Sequence, residues 1–240
     1  MAKGCDYSWE RPNIGGLVQA GYQYVIRYVS HDNTGKNLSV AEAGALRASG
    51  LDIGLVWEFG KMAPLNGHAQ GVADAANAIN MAVALGAPSH AAIYFAVDFD
   101  AQDSDMHAIA QYVDGCTATI GWDRVGVYGG YKVIANMAAT NRCKYFWQTY
   151  AWSYGNWHPA AQLRQVQNEV PVAGDRIDID QSFAADIGSW NGPIAPGGGS
   201  TNTPDTWDPT RWITAVGDAF KGGADALTGF RAWIDGIRDY

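Results

Sequence analysis

The chain has 240 residues, of which 48% are hydrophobic and 17% charged, so it can bury a sizeable core and is too apolar for an intrinsically disordered protein. Its 16 Lys and Arg against 24 Asp and Glu give a formal charge of −8, and its Lys and Arg residues do not cluster. We therefore exclude nucleic acid and anionic membrane surfaces as partners.

The first 190 residues alternate β-rich runs with helical segments, and several of the runs are continuously apolar, as in parallel strands buried on both faces. The predicted strands are 4–8, 24–29, 52–58, 91–98, 124–129, 144–150, 164–168 and 177–181, and the predicted helices are 12–20, 39–49, 67–85, 104–120 and 131–140. After the sixth strand the 168–176 connection is too short for a full helix. The pattern predicts a (β/α)8 TIM-type barrel over residues 1–190, irregular at its C-terminal end. An open doubly wound sheet is the alternative.

The composition changes after the predicted barrel. Residues 191–206 are rich in Gly, Pro, Ser and Thr and predict a flexible linker. Residues 207–240 carry apolar residues three or four positions apart, which predicts an amphipathic helical tail. We expect this tail to dock on another protein or to self-associate.

Hydropathy bears on where the protein acts. No apolar run reaches the roughly 18 residues of a transmembrane helix. The N-terminal segment MAKGCDYSWERPN lacks the apolar centre of a signal peptide. We expect a soluble protein without a signal peptide and without membrane insertion.

Acidic residues recur at or near the ends of the predicted strands, where a TIM-type barrel carries its chemistry. Asp98 and Asp100 end the fourth strand, two residues apart, so we expect them on one side of the strand at roughly 6.5–7 Å backbone separation. Clustered acids can leave one carboxyl neutral beside an ionised one, which is the division that glycoside hydrolysis needs. A solvated loop or a divalent-metal site is the alternative for this pair. The candidate acids are Asp6, Glu58, Asp98, Asp100, Asp178 and Asp180.

Aromatic and amide side chains near the same strand ends could bind a sugar. The predicted substrate-binding residues are Trp9, Tyr128, Trp147, Gln148, Trp152 and Asp180. We assign Trp57 and Tyr94 to the core and expect Arg27 to pair with the acids of the barrel. The three cysteines and five histidines show no metal-binding spacing, so we predict no metal site and no cofactor.

Five motifs, in order, resemble the glycoside-hydrolase-like barrels of actinobacteria and their phages, which are related to the family-25 lysozymes: GCDYSW, NIGGLVQAGYQYVIRYVS, YFAVDFD, WQTYAWS and IDIDQS. The resemblance covers residues 3–190. It implies that Asp6 is the first-strand acid, that Asp98 and Asp100 are the fourth-strand D-x-E pair, and that Asp178 or Asp180 is the acid of the last strand. The chain departs from the family-25 pattern at position 100, where Asp is shorter than Glu by one C–C bond, roughly 1.5 Å. A D-x-D pair is usual for the glycoside-hydrolase-like relatives, whose activity the resemblance does not settle.

The first hypothesis is a lysozyme-like hydrolase of bacterial peptidoglycan glycan, with Asp100 as general acid and Asp98 as nucleophile, base or electrostatic stabiliser. Asp6 and Asp178 would set pKa values and position sugar or water, and Glu58 is a substitute for the acid. By analogy with the family, the protein would be a phage endolysin or a virion component that reaches the cell wall on host lysis or tail contact. A non-catalytic wall-binding or virion structural protein is the second hypothesis, and a metal-dependent hydrolase is the third.

Overall fold

The computed structural model describes residues 1–192, which form a closed barrel of eight strands in sequence order. The strands are β1 (Ala2–Tyr7), β2 (Tyr24–Val29), β3 (Asp52–Trp57), β4 (Ile93–Ala96), β5 (Val125–Gly129), β6 (Tyr145–Thr149), β7 (Leu163–Val172) and β8 (Asp175–Ser182). The α-helices of these residues are α1 (Ile14–Gln19), α2 (Val40–Ala48), α3 (His68–Ala84), α4 (Met106–Ile120) and α5 (Tyr131–Ala139). The predicted tail 207–240 and all but two residues of the predicted linker 191–206 lie outside the described residues.

The strand directions confirm a TIM-like barrel with an irregular end. Neighbouring strands from β1 to β7 are parallel, whereas β8 runs antiparallel to both β7 and β1. Turns, not a helix, occupy residues 150–162 between β6 and β7. Because the β1–β8 pairing closes the sheet on itself, the open doubly wound alternative is wrong.

Two helices, α1 and α2, begin at side-chain caps. The side chain of Ser39 accepts a hydrogen bond from the backbone N–H of Glu42, and Asn13 does the same for Gly16. Outward-facing apolar residues of the strands pack against the helices, and the three cysteines lie buried, without disulfide bonds, in this layer or beside it.

Large rings fill the inside of the barrel, so the interior is a packed core and not a channel. A second apolar cluster there includes Tyr24, Tyr94 and Trp147. The Tyr94 hydroxyl donates to the carbonyl of Ile187. The predicted core positions of Tyr94 and Trp57 are confirmed, since each is 1% exposed.

The segment after β8 covers the end of the barrel at which the parallel strands begin. The backbone N–H of Trp190 donates to the carbonyl of Ile53, and that of Asn191 donates to the carboxylate of Asp52. The opposite end, where the parallel strands finish, is the mouth. None of the helices within residues 1–192 is long and apolar enough to span a membrane.

Candidate active site

Five of the predicted acids lie around the mouth: Asp6, Glu58, Asp98, Asp100 and Asp178. The first four lie at or just after the ends of parallel strands that finish there. Asp178 joins them because β8 is antiparallel, so its first half lies level with the last half of β1, and Asp6 faces Asp178 across the pair. Asp180 faces Gly4 and therefore lies deeper in the barrel.

An amide bridge holds Asp6 and Asp178 together. The Gln165 Nε2 group donates to Asp6 at 2.8 Å and to Asp178 at 3.1 Å, and the Tyr28 hydroxyl donates to the other oxygen of Asp6 at 3.3 Å. Burial, and then the charge of Asp178, raises the pKa of Asp6 to about 7. Burial also raises the pKa of Asp178 to about 6, although the backbone N–H of Glu169 opposes this by donating to it at 2.8 Å. These acids therefore titrate close to neutral pH.

The second pair of acids is Asp98, whose pKa is raised, and Glu58, which forms an ion pair with Lys36. Asp98 is half-buried, and burial followed by the charge of Glu58 raises the pKa of Asp98 to about 6, against the opposing charges of Lys61 and Lys36. Glu58 accepts a hydrogen bond from Lys36 Nζ at 2.7 Å. The two neighbouring carboxyls thus differ in environment: one is desolvated and one is paired with a cation.

Asp98 and Asp100 do not share one side of a strand, and that prediction is wrong. Strand β4 ends at Ala96, so both acids lie in the following loop. Asp100 is exposed, and its carboxylate accepts a hydrogen bond from the Tyr154 hydroxyl at 2.7 Å. Without strand geometry to align them, the two side chains have different surroundings.

Three predicted substrate-binding residues are closed off from the mouth. Trp147 is 1% exposed and packs edge-on against Tyr94 and Tyr128 inside the barrel, and its indole N–H donates to Asp180 at 2.9 Å. Asp180 is fully buried beneath. Gln148 is also fully buried and faces outward, where it donates to Ser153. None of these three can touch a ligand in this conformation, which corrects the prediction.

Of the other predicted aromatics, Trp9 and Trp152 lie at the rim and Tyr128 lies below it. Trp9 is 54% exposed and donates its indole N–H to the hydroxyl of Thr34. Trp152 is half-buried, with Lys61 Nζ 5.9 Å from its ring centroid. Tyr128 is mostly buried and donates its hydroxyl to Gln165, which places it just below the acids. Trp9 and Trp152 are thus available to a ligand, whereas Tyr128 holds Gln165 beneath the acids of the mouth.

Arg27 does not meet the acids of the mouth, contrary to expectation. It occupies an outward-facing position of β2, where its guanidinium pairs with Glu42 of α2 at 2.7 Å and donates to the carbonyl of Tyr7. The alternation along the strand explains this: Ile26 faces the barrel interior, so the next residue faces the helices.

Several site residues were missed from the sequence. Tyr28 lies two positions after Ile26, so the alternation of β2 alone would have placed it on the inner face beside Asp6. Lys36 and Lys61 come from loops, where no periodicity indicates direction. Within residues 1–192 no three His, Cys, Asp or Glu side chains are placed to hold a metal ion.

The chain is similar in sequence and in fold to glycoside hydrolase-like proteins. A family model described as the Rv2525c-like, glycoside hydrolase-like domain matches residues 16–184. A Mycobacterium tuberculosis protein named "Putative peptidoglycan hydrolase Rv2525c" is 32% identical over 184 residues, which is 71% of this chain and 76% of that protein. The crystal structure of the M. tuberculosis Tat-secreted protein Rv2525c is similar with a TM-score of 0.74 at 30% identity, covering 79% of this chain and 98% of the other.

Two more distant structures share the fold. The modular autolysin LytC of Streptococcus pneumoniae has a TM-score of 0.55 at 13% identity, over 75% of this chain and 46% of LytC. A muramidase from Trichobolus zukalii has a TM-score of 0.52 at 17% identity, over 76% of this chain and 93% of the other. At these identities the similarity concerns the fold alone.

Proposed function

Because the chain belongs to the Rv2525c-like glycoside hydrolase-like family, we propose that it hydrolyses glycosidic bonds in the glycan strands of bacterial peptidoglycan. The observation that carries the proposal is the half-buried position of Asp98 beside the Glu58–Lys36 ion pair at the barrel mouth, where burial and the charge of Glu58 raise the pKa of Asp98 to about 6. Glycosidases need a carboxyl that keeps a proton next to one that is ionised. The name of the M. tuberculosis relative supports peptidoglycan as the substrate class.

In this proposal Asp98 is the general acid, and Asp100 is the nucleophile or base. This reverses the roles assigned from the sequence, because Asp98 is the desolvated member of the pair and Asp100 is exposed. Glu58 stabilises positive charge that develops on the sugar. Asp6 and Asp178 position the sugar or a water molecule from across the mouth.

The test is release of reducing sugar from purified bacterial peptidoglycan by the wild type, Asp98→Asn and Asp100→Asn. We expect Asp98→Asn to lower kcat by about 100-fold or more, the usual loss of a general acid. Since a general acid must be protonated, wild-type kcat should fall as the pH rises through about 6, the pKa of Asp98.

The matched control is Asp123→Asn, which removes the same charge from an exposed turn before β5, at the closed end of the barrel. Its activity should equal that of the wild type. Full activity in Asp98→Asn would remove Asp98 from the mechanism.

A glycan-binding or virion structural protein that keeps the barrel is the alternative function. It is favoured by two exposed rings, those of Trp9 and Tyr154, 54% and 78% exposed. It is also favoured by Asp at position 100, where the pattern of the related family-25 lysozymes has the longer Glu. Under this alternative no variant releases sugar, whereas Trp9→Ala and Tyr154→Ala reduce sedimentation with insoluble peptidoglycan.

We also propose the cell wall as the place of action, since an M. tuberculosis relative is a Tat-secreted protein. The association with phage, and the docking or self-association of residues 207–240, remain predictions of the sequence. Mass spectrometry of purified phage particles tests the first, and cross-linking of the full chain tests the second.

A further inference from the structure

Two carboxyl groups lie in contact below the mouth, on neighbouring strands. Asp6 of β1 is 1% exposed and Asp180 of β8 is fully buried. The register pairs Asp180 with Gly4, which brings Asp180 next to Asp6 along the inner face of the antiparallel pair.

Their hydrogen bonds differ. Both oxygens of Asp6 accept, one from the Tyr28 hydroxyl and one from Gln165 Nε2. At Asp180 one oxygen accepts from the Trp147 indole N–H at 2.9 Å, whereas the buried Oδ2 receives no hydrogen bond from any donor among the described residues. The carboxyl groups of Asp180 and Asp6 are nevertheless close enough that a hydrogen bond between them shifts the pKa values of both. A bond between two carboxyl groups requires a proton on one of them.

The surroundings favour a neutral Asp180. The titratable groups whose charges interact with that of Asp180 are themselves acids. They lie on four other strands of the barrel, in the loop before β2 and on β8. They are Asp6 and Cys5 on β1, Tyr24 on β2, Tyr94 on β4, Tyr128 on β5 and Tyr22 in the loop, besides Asp178 on β8 itself. None of these is a cation that could compensate an ionised Asp180, and a buried charge without compensation is strongly disfavoured.

We propose that Asp180 is a protonated carboxylic acid in the folded protein at neutral pH, and that its hydroxyl group donates to the carboxylate of Asp6. Asp180 is then a positioning residue: it acts on a substrate only through Asp6, whose carboxylate it holds toward Gln165 and Tyr28. The effect on catalysis rests on the proposed function, but the position of the proton does not.

The direction of the pKa values agrees with this arrangement. Burial, and then the charge of Asp6, raises the pKa of Asp180 well above its ordinary value. The hydrogen bond from Asp180 acts the other way on Asp6, where it opposes the rise caused by burial. Asp180 therefore keeps its proton while Asp6 titrates at about pH 7.

Infrared spectroscopy of the full chain tests the proton directly. At about pH 8, carboxyls of ordinary pKa are ionised and Asp6 is above its pKa of about 7, so a protonated Asp180 should give a carbonyl band that is separate from the carboxylate bands. We expect this band in the wild type and in the control Asp178→Asn, and its loss in Asp180→Asn. A wild-type spectrum without the band, or a band that persists in Asp180→Asn, would overturn the proposal.

Unfolding gives a second readout. The side-chain amide of Asp180→Asn retains an acceptor for Trp147 and a donor for Asp6, so this variant should fold. The Tm of the variant relative to that of the wild type should rise as the pH increases from about 4. The reason is that only the wild type must lose a proton from residue 180 on unfolding in this range. A Tm difference that is independent of pH contradicts the proposal.

Activity separates this inference from the proposed function. If peptidoglycan is cleaved, Asp180→Asn should retain kcat within about threefold, since its amide replaces the protonated acid. A loss of about 100-fold or more would make Asp180 a base or nucleophile and overturn its positioning role. If no variant cleaves the substrate, the proposed function fails, and the infrared result still decides where the proton lies.

Discussion

Glycines on the inner face of the barrel leave the volume that tyrosine rings occupy. A Cβ atom on Gly126 would lie 2.5 Å from Cδ1 of Tyr94, and one on Gly4 would lie 2.1 Å from the ring of Tyr24. Both rings are almost fully buried. The rings cannot move aside without displacing the packed interior, so these glycines are required by space and not by backbone conformation.

Gly126→Ala should therefore lower the free energy of unfolding by about 1–3 kcal/mol, the usual cost of overpacking a core. The matched control is Gly44→Ala in the exposed face of α2, where an added Cβ meets no atom within 4 Å. That change should raise the free energy by about 0.5–1 kcal/mol, because alanine is the better helix former. Urea unfolding of both variants measures the difference, and equal effects would contradict the steric explanation.

At single positions, the sequence indicated the acids better than the ligand-binding residues. The predicted acids at the mouth include Asp6, Glu58, Asp98 and Asp178. Their positions could be predicted because apolar runs in the sequence show where the strands lie and end. Which aromatic rings face a ligand depends on how completely the interior is filled. The alternation of β6 puts Trp147 inside and Gln148 outside, but only the packed barrel shows that Trp147 is covered.

Among the elements, the β7–β8 hairpin determines the site because it reverses the last strand. Its two turn residues, Ala173 and Gly174, both have positive φ, 53° and 89°, which matches the right-handed twist of the strands on either side. The hairpin brings Asp178 opposite Asp6 and carries Gln165, which bridges them. The geometry of the turn thus fixes the distance between two acids of the mouth.

Gly174→Ala should destabilise the protein by about 1–2 kcal/mol, since a Cβ atom disfavours a left-handed backbone. An added Cβ there meets no atom within 4 Å, so the cost is conformational and not steric. Thermal unfolding measures it against the wild type. A Tm equal to that of the wild type would show that the turn can change its backbone conformation without loss.

The direction of β8 could not be derived from the sequence, although its existence was predicted. A strand buried on its inner face has the same residue pattern whether it runs parallel or antiparallel. The indication was the short 168–176 connection, which excludes a helix but not a different crossover. The five predicted helices and the other seven strands are confirmed, and most of them carry a periodic or apolar run.

For the molecule as a whole, acids with raised pKa values make folding dependent on pH. The pKa of Asp6 is about 7, and those of Asp98 and Asp178 are about 6, all from a value of 3.8. The folded protein therefore retains protons that the unfolded chain releases, so its stability falls as the pH rises from about 4 to about 7. The pKa values of Asp32 and Asp175 are lowered, so the stability that these residues contribute is fully present above about pH 4. They therefore do not change how stability depends on pH between about 4 and 7.

Urea unfolding at about pH 5 and about pH 7.5 should show the higher free energy of unfolding at the lower pH. Asp98 and Asp178 are partly exposed, so after allowance for solvent screening each should contribute about 1–2 kcal/mol. Asp98→Asn should reduce the difference between the two pH values by that amount. A free energy that increases with pH over this range would refute the assignment.

The segment that covers the closed end has a consequence for how the barrel can be held. Trp190 and Asn191 are anchored beside Ile53 and Asp52, at the pole opposite the mouth. A tether attached just after residue 192 therefore starts from that pole. A bead or scaffold joined there would hold the barrel with its carboxyls pointing outward, where a long insoluble polymer can reach them without passing between protein and support.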